Sequence, residues 1–279
     1  DRLALLVEVF AIDLHAYAVM SNHYHLVLRI NQKDALSWSD REVAERWMQL
    51  FTGPLIVKRW LNGETGQAES FQSLEIVSQW RERLYDLGWF MKCLNEHLAR
   101  RANEEDCCKG RFWESRYKCQ ALLDEKALLQ CMAYVDLNPV RADMAATPEG
   151  SDYTSIQQRA QEVRGQLSQP GRRPRLLAMA DVNTVNREAD DTRCRFRLTD
   201  YLALVESTGR AVREGKRGAI SPQAAGVLDR MRIKERAWLT HMRPKQRRQP
   251  VALGALEKLK EYAAMTGRKW ISGQSLIGW

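Results

Sequence analysis

The chain has 279 residues, 44% of them hydrophobic, and a formal net charge of +8. That supports a real core in one large or two modest domains, and no run reaches the ~18 apolar residues that a membrane-spanning helix needs. The charge is uneven: residues 171–279 carry 23 Lys and Arg against 11 Asp and Glu, while the rest of the chain is slightly acidic. A basic third suits either a polyanionic partner or a solvated basic surface. The six cysteines form no C-x-x-C pair and read as reduced thiols of a cytoplasmic protein. No signal peptide is visible, and the start at Asp1 falls in mid-pattern, which points to a natural start further upstream.

In chain order, Leu3, Leu6, Val7 and Phe10 are at helical spacing, so the first ten residues read as the end of an amphipathic helix. Ile12–Met20 alternates like a strand, Leu26–Ile30 reads as a second, and Ser21-Asn22 is the turn of a hairpin. Side chains at i and i+2 share a face in a strand, so His23 and His25 stand side by side while Tyr24 points to the opposite, packed face. Two imidazoles at that separation can share one divalent ion, and a bare His-x-His is equally an ordinary strand pair. His15 is a possible extra polar group there or a strand residue without chemistry.

A loop over 31–40 leads to a helix over 41–51, capped by Asp40, with Val43, Trp47, Leu50 and Phe51 as its buried stripe. Gly53-Pro54 ends it. Residues 62–72 are polar enough for a loop. Helices follow over 74–84 and 86–103, the second with an apolar face of Phe90, Leu94 and Leu98. Residues 110–118 (GRFWESRYK) interleave Arg111, Arg116 and Lys118 with Phe112, Trp113 and Tyr117. That mixture holds phosphates while stacking bases, or else forms an edge strand with a buried aromatic pair. Asp124 caps a helix over 125–138 with Leu128, Cys131, Met132 and Val135 as its stripe, ended by Pro139. Tyr134 and Asn138 are four apart, on one face, and Asp136 between them either faces solvent or serves as an accessory ligand. Further helices are expected over 154–166, 199–214, 221–232 and 253–267, with a domain boundary at 170–174 and a basic run from Arg243 to Arg248.

Three blocks, SNHYHLVL (21–28), GRFWESRYK (110–118) and AYVDLNPVRADM (133–144), taken in this order and spacing, resemble the REP-associated tyrosine transposases. These belong to the single-tyrosine HUH transposases and relaxase-like endonucleases. The first block matches the His-hydrophobic-His motif, the third the Tyr-x-x-x-Asn-Pro signature, and the second the Trp/Arg-rich linking segment. The resemblance covers residues 5–160, and 195–218 is similar to an extension found on some members.

The resemblance implies an α+β fold, a ferredoxin-like antiparallel sheet with helices packed on it (the HUH endonuclease core), followed by a mainly helical, basic C-terminal region. The implied division is a transposase domain at 1–160, a linker at 161–180 and the extension at 181–279. The family usually begins with a further strand and loop before the position of Asp1. Tyr134 is the implied nucleophile, His23, His25 and Asn138 the ligands of Mg²⁺ or Mn²⁺, and Arg111, Trp113, Arg116, Tyr117, Lys118 and Arg141 the DNA contacts. The implied activity is cleavage and strand transfer of single-stranded DNA beside REP-like hairpins through a 5′-phosphotyrosine link. It belongs to a bacterial cytoplasmic, nucleoid-associated protein acting as a monomer or homodimer, with no membrane partner. Two other readings compete: a domesticated hairpin-binding protein that no longer cuts, and a structural zinc site built on the two histidines, which needs two more ligands.

Overall fold

The computed structural model of the chain describes residues 1–165, 173–180, 194–212, 220–242, 250–269 and 271–274. The basic run 243–248 lies outside them, as do 166–172 of the expected linker and 213–218 of the segment similar to an extension. The protein is mixed α/β, and among the described residues no helix is long and apolar enough to cross a membrane. Its contacts divide it into two compact units.

The first unit takes in 1–14, 28–117 and 173–175. It starts with α1 (Arg2–Val9) and shares with the second unit a hairpin of β1 (Ile12–Val19) and β2 (Tyr24–Ile30). Helices α2 (Gln32–Ser37), α3 (Asp40–Met48), α4 (Leu55–Leu61), α5 (Gln67–Leu84) and α6 (Leu87–Glu105) follow. Two departures from expectation have tertiary causes. Residues 32–37 are helical where composition predicts a loop, because Arg81 reaches over from α5 to the carbonyls of Ala35 and Trp38 at 2.6 and 2.7 Å. Helix α5 begins inside the expected 62–72 loop, because Glu69 accepts from the Gly66 N–H and pairs with Arg59 at 2.7 Å. Ser39, not Asp40, caps α3, and Asp40 is left to meet Arg81. Trp47 stacks on Phe51 and Trp80 at 4.6 and 5.6 Å. The 110–118 stretch is not a strand but an exposed coil, pinned where Trp113 Nε1 donates to the Asn95 carbonyl at 2.9 Å.

The second unit takes in 15–27, 118–165 and the described residues from 176 on. Short β3 (Ala121–Leu122) leads to α7 (Glu125–Asp136), a further turn α8 (Asn138–Arg141) and α9 (Ser155–Val163). Then come β4 (Met179–Ala180), β5 (Cys194–Arg197), α10 (Leu198–Val212), α11 (Pro222–Arg230), α12 (Glu235–Met242), β6 (Ala252–Leu253), α13 (Leu256–Met265) and β7 (Gly273–Gln274). Strands β3, β6 and β7 pair in parallel, as do β4 and β5.

Asp124 caps α7 as its sequence predicts, accepting from Ala127 N–H at 2.9 Å. Pro139 interrupts this helix instead of ending it. Leu137 keeps helical angles, Arg141 N–H still reaches the Leu137 carbonyl at 2.9 Å, and the chain turns once more through Arg141. Proline is tolerated in the first turn of a new helical segment, where its missing N–H has no intrahelical partner to lose. The buried side of α7 is also wider than the expected stripe. Ala127, Leu129, Gln130, Met132, Ala133, Val135 and Asp136 are all buried. Leu129, Met132, Ala133 and Val135 share one core with Ala16, Ala18 and Val27 of the hairpin, Tyr201 and Leu204 of α10, and Trp238 and Met242 of α12. At about 1.5–3 kcal/mol for each large apolar side chain fully buried, that shared core is a main support of α7. Gly209 lets α10 lie close, since a Cβ there would come within 3.1 Å of Leu137 Cδ2.

One edge of β1 is closed without a strand. The His15 carbonyl accepts from Arg159 at 2.9 Å, Tyr17 N–H donates to Ser155 Oγ at 2.9 Å, and Val19 N–H donates to the Tyr153 carbonyl at 3.1 Å. Helix α9 and its lead-in thus satisfy backbone groups that a neighbouring strand otherwise takes. Asp136, expected at the solvent or as a ligand, is instead fully buried under the end of α7. It accepts from Ser155 Oγ, the Ile156 N–H and the Tyr201 hydroxyl.

Candidate active site

The hairpin delivers both histidines to one place. Met20 N–H donates to the His23 carbonyl at 2.8 Å, which closes the turn with His23 as its last residue and His25 two positions on in β2. The rings stand edge to face with centroids 5.1 Å apart. His23 is exposed and His25 half-buried. The face they share also carries Val27, which is 2% exposed and packed in the core with α7. Tyr24, expected against a packed face, is only half-buried. His15 is buried on the opposite face of β1.

Helix α7 supplies the rest of the site. The Tyr134 ring lies edge-on to His25, with centroids 6.5 Å apart. Arg141, seven residues on, lays its guanidinium 4.0 Å from the centre of the Tyr134 ring. Asn138 comes between them on the same helical face, and its Nδ2 is buried without a partner among the described residues. Residues i, i+4 and i+7 fall on one side of a helix, and this spacing in the sequence is the signal that joins Arg141 to the pair Tyr134 and Asn138.

The donor set suits a divalent ion. His23 Nδ1 lies 2.6 Å from Asn22 Oδ1. A carbonyl oxygen can only accept, so Nδ1 is the donor in this contact and Nε2 is the ring nitrogen left to face a metal, the orienting arrangement common at metal sites. Asn22, next to His23 in the chain, is a ring partner that the His-x-His pattern alone does not single out. His25 is held neutral, its pKa lowered to about 4 by burial first, then by His23 and Arg141. A neutral imidazole is the form that binds metal. The Asn138 amide adds an oxygen donor of the kind Mg²⁺ and Mn²⁺ prefer. No cluster of three or more His, Cys, Asp or Glu that could hold a metal occurs among the described residues, so the closed zinc alternative gains no ligands there. Cys93, Cys107, Cys108, Cys119 and Cys131 are free, and burial pushes the Cys131 thiol up to about 12.

The expected DNA contacts separate. Arg111, Trp113, Arg116 and Tyr117 belong to the first compact unit, while the catalytic candidates, with Lys118 and Arg141, belong to the second. Arg111, Arg116, Tyr117 and Lys118 are exposed, and Trp113 is half-buried with Phe112 edge-on at 4.8 Å. Among family models, curated proteins and solved structures, none matches this chain.

Proposed function

We propose that the protein is a metal-dependent single-stranded DNA endonuclease and strand transferase, a transposase of the REP-associated tyrosine type. The observation that carries this reading is the gathering of two imidazoles from the hairpin with the Tyr134 ring of α7 and the Arg141 guanidinium of α8 in the second unit. The finer fold reading goes with it: the hairpin packed on α7 is part of a ferredoxin-like HUH core.

In this reading His23, His25 and Asn138 hold a Mg²⁺ or Mn²⁺ ion. When bound, the ion polarises the scissile phosphate and offsets charge in the transition state. The Tyr134 oxygen attacks phosphorus, its proton passing to solvent. An O–P bond forms to the tyrosine, the P–O3′ bond breaks, and the 3′ oxygen leaves as a hydroxyl after taking a proton from water. The bond energy is kept in the phosphotyrosine, so a 3′-OH can later attack it and rejoin strands without ATP. The rigid seat of Tyr134 on α7 supplies the positioning that such in-line attack needs. Arg111, Arg116 and Lys118 with Trp113 and Tyr117 supply the grip on a hairpin-bearing single strand. A nucleoid-associated cytoplasmic protein, acting as a monomer or homodimer, agrees with that substrate.

The test is a denaturing gel. Labelled single-stranded hairpin DNA from beside the protein's own gene is incubated with the full chain and Mg²⁺ or Mn²⁺. An SDS-resistant protein–DNA adduct is expected with wild type and is expected to be absent with Tyr134→Phe, whose DNA affinity stays within about twofold because only a hydroxyl is lost. A gel shift without adduct or nicking in either metal would instead make the protein a hairpin-binding module.

A further inference from the structure

The resemblance implies that Arg141 is one of the DNA contacts, yet its surroundings give it a more specific task. Its guanidinium is stacked on the Tyr134 ring, not extended into solvent. Its Nε and Nη1 are buried with no acceptor among the described residues, and none of them forms an ion pair with it. Asn138 Nδ2, one turn earlier on the same face, is likewise a buried donor without an acceptor. Three unmet N–H donor atoms and one uncompensated positive charge thus lie beside the candidate nucleophile. A buried donor left unpaired costs about 1–3 kcal/mol, and more when the group is charged. Donors alone call for an acceptor, and the positive charge among them favours an anionic one.

We infer that the turn Asn138–Arg141 is the seat of the phosphate that Tyr134 attacks, with Arg141 as its principal cation. This rests on the nuclease reading for the identity of the anion. The phenolic oxygen is on the rim of the ring that Arg141 covers, so a phosphate approached by that oxygen comes up beside the guanidinium. Charge on the phosphate oxygens grows as the new bond forms, and a planar guanidinium already fixed by stacking meets it without reorganising. The nearness of this positive charge is also felt at His25, which it helps to keep neutral. Arg141 is therefore a catalytic residue that touches the reacting phosphate, distinct from the exposed cations of 110–118.

The experiment compares wild type, Arg141→Lys and Arg141→Ala as full chains, each shown by circular dichroism to be folded. The rate of adduct formation is read at saturating hairpin DNA and the dissociation constant is measured separately. Arg141→Ala is expected to slow the adduct step about 100-fold, the scale on which one preorganised donor acts, while affinity changes less than about threefold. Arg141→Lys recovers part of the rate by keeping the charge. A weaker affinity with an unchanged rate at saturation, or no change in either, overturns the inference and leaves the nuclease reading intact. If wild type forms no adduct in any metal, the nuclease reading fails, and inorganic phosphate then decides the seat. A shift of the Arg141 Nε–H resonance on adding phosphate upholds it, and an unmoved resonance removes it. If Arg141→Ala does not fold, Arg141→Gln and Arg141→Lys carry the same comparison.

Discussion

Residues 110–118 and 125–141 are both expected to meet DNA, and they are built in opposite ways. The first is an exposed coil, fixed at few points such as Trp113 Nε1 on the Asn95 carbonyl and Asn103 Nδ2 on the Gly110 carbonyl. The second is capped by Asp124 at its start, buried over most of its surface, and tied down at its end by the three bonds that Asp136 accepts. Phosphate charge is felt over several ångströms, so a gripping residue works from a mobile side chain on an open segment. A nucleophile and its partners must be held within about half an ångström, which calls for a rigid element with a supporting shell. The contrast teaches which residues should change rate and which should change affinity.

The largest way to break it is to remove the support of α7. Deleting residues 171–279 is expected, from charge alone, to lower DNA affinity and its salt dependence. The shared core alters that expectation, because Tyr201, Leu204, Trp238 and Met242 pack with Leu129, Met132 and Ala133. Exposing several large side chains at about 2–5 kcal/mol each exceeds the ~5–15 kcal/mol by which a domain is stable. The truncated chain should therefore lose the cooperative thermal transition of its second unit and its adduct activity together. A truncation that melts cooperatively and still forms adduct would mean that α7 stands without this core.

This dependence also marks what the sequence made legible. The hairpin follows from alternation and Ser21-Asn22, and α7 from the cap at Asp124. Strand and helix periodicity put His23 with His25, and Tyr134 with Asn138, on one face each, and only the resemblance of the three blocks singled these pairs out as candidates. The width of α7's buried surface was not legible, because it is set by α10 and α12, far along the chain and with α12 unmarked by any cap. The burial of Asp136 was hidden for the same reason, since its partners Ser155 and Tyr201 lie 19 and 65 residues away. Helix α2 depends on the reach of Arg81 from α5, 46 and 43 residues away, which no local pattern announces, and the start of α5 on Glu69, whose pairing with Arg59 adds to its local bond with Gly66.

A milder perturbation is Tyr201→Phe, which keeps the apolar ring and removes one donor to Asp136. Burial raises the Asp136 pKa to about 6, while the bonds from Ser155 and Tyr201 pull it down. A folded-state pKa above the unfolded value means that the unfolded chain gives up its proton first as pH rises. The Asp136 contribution to stability is then full below pH ~4 and lost as pH climbs through about 6. His25 acts in the opposite sense, its lowered pKa giving stability that is lost as pH falls from about 6.5 to about 4. The two slopes overlap in wild type, so the difference between wild type and variant isolates Asp136. With one donor fewer, the carboxylate is less stabilised and its pKa moves further up. Tyr201→Phe should lose about 1–3 kcal/mol at pH 7, the value of a hydrogen bond to a charged group, and less at pH 4, where the folded-state carboxyl is protonated and the bond is no longer charge-assisted. Denaturant titrations at the two pH values measure this, and an equal loss at both would show that the hydroxyl does not serve the carboxylate.

The smallest expected effect falls on the open segment. Arg116 is exposed, so Arg116→Ala removes a charge without disturbing packing, and stability should stay within about 0.5 kcal/mol. If Arg116 neutralises one phosphate, the slope of log affinity against log salt falls by about 0.7 for a single strand, and affinity weakens a few-fold at moderate salt. The rate of adduct formation at saturating DNA should not move, because a residue that only grips the strand is not needed once the DNA is bound. That pairing of outcomes is the reverse of the one expected for Arg141, although the resemblance implies a DNA contact for both arginines. A fall in the saturated rate with Arg116→Ala would show that the open segment reaches the reacting phosphate, and the division between gripping and reacting residues would have to be redrawn.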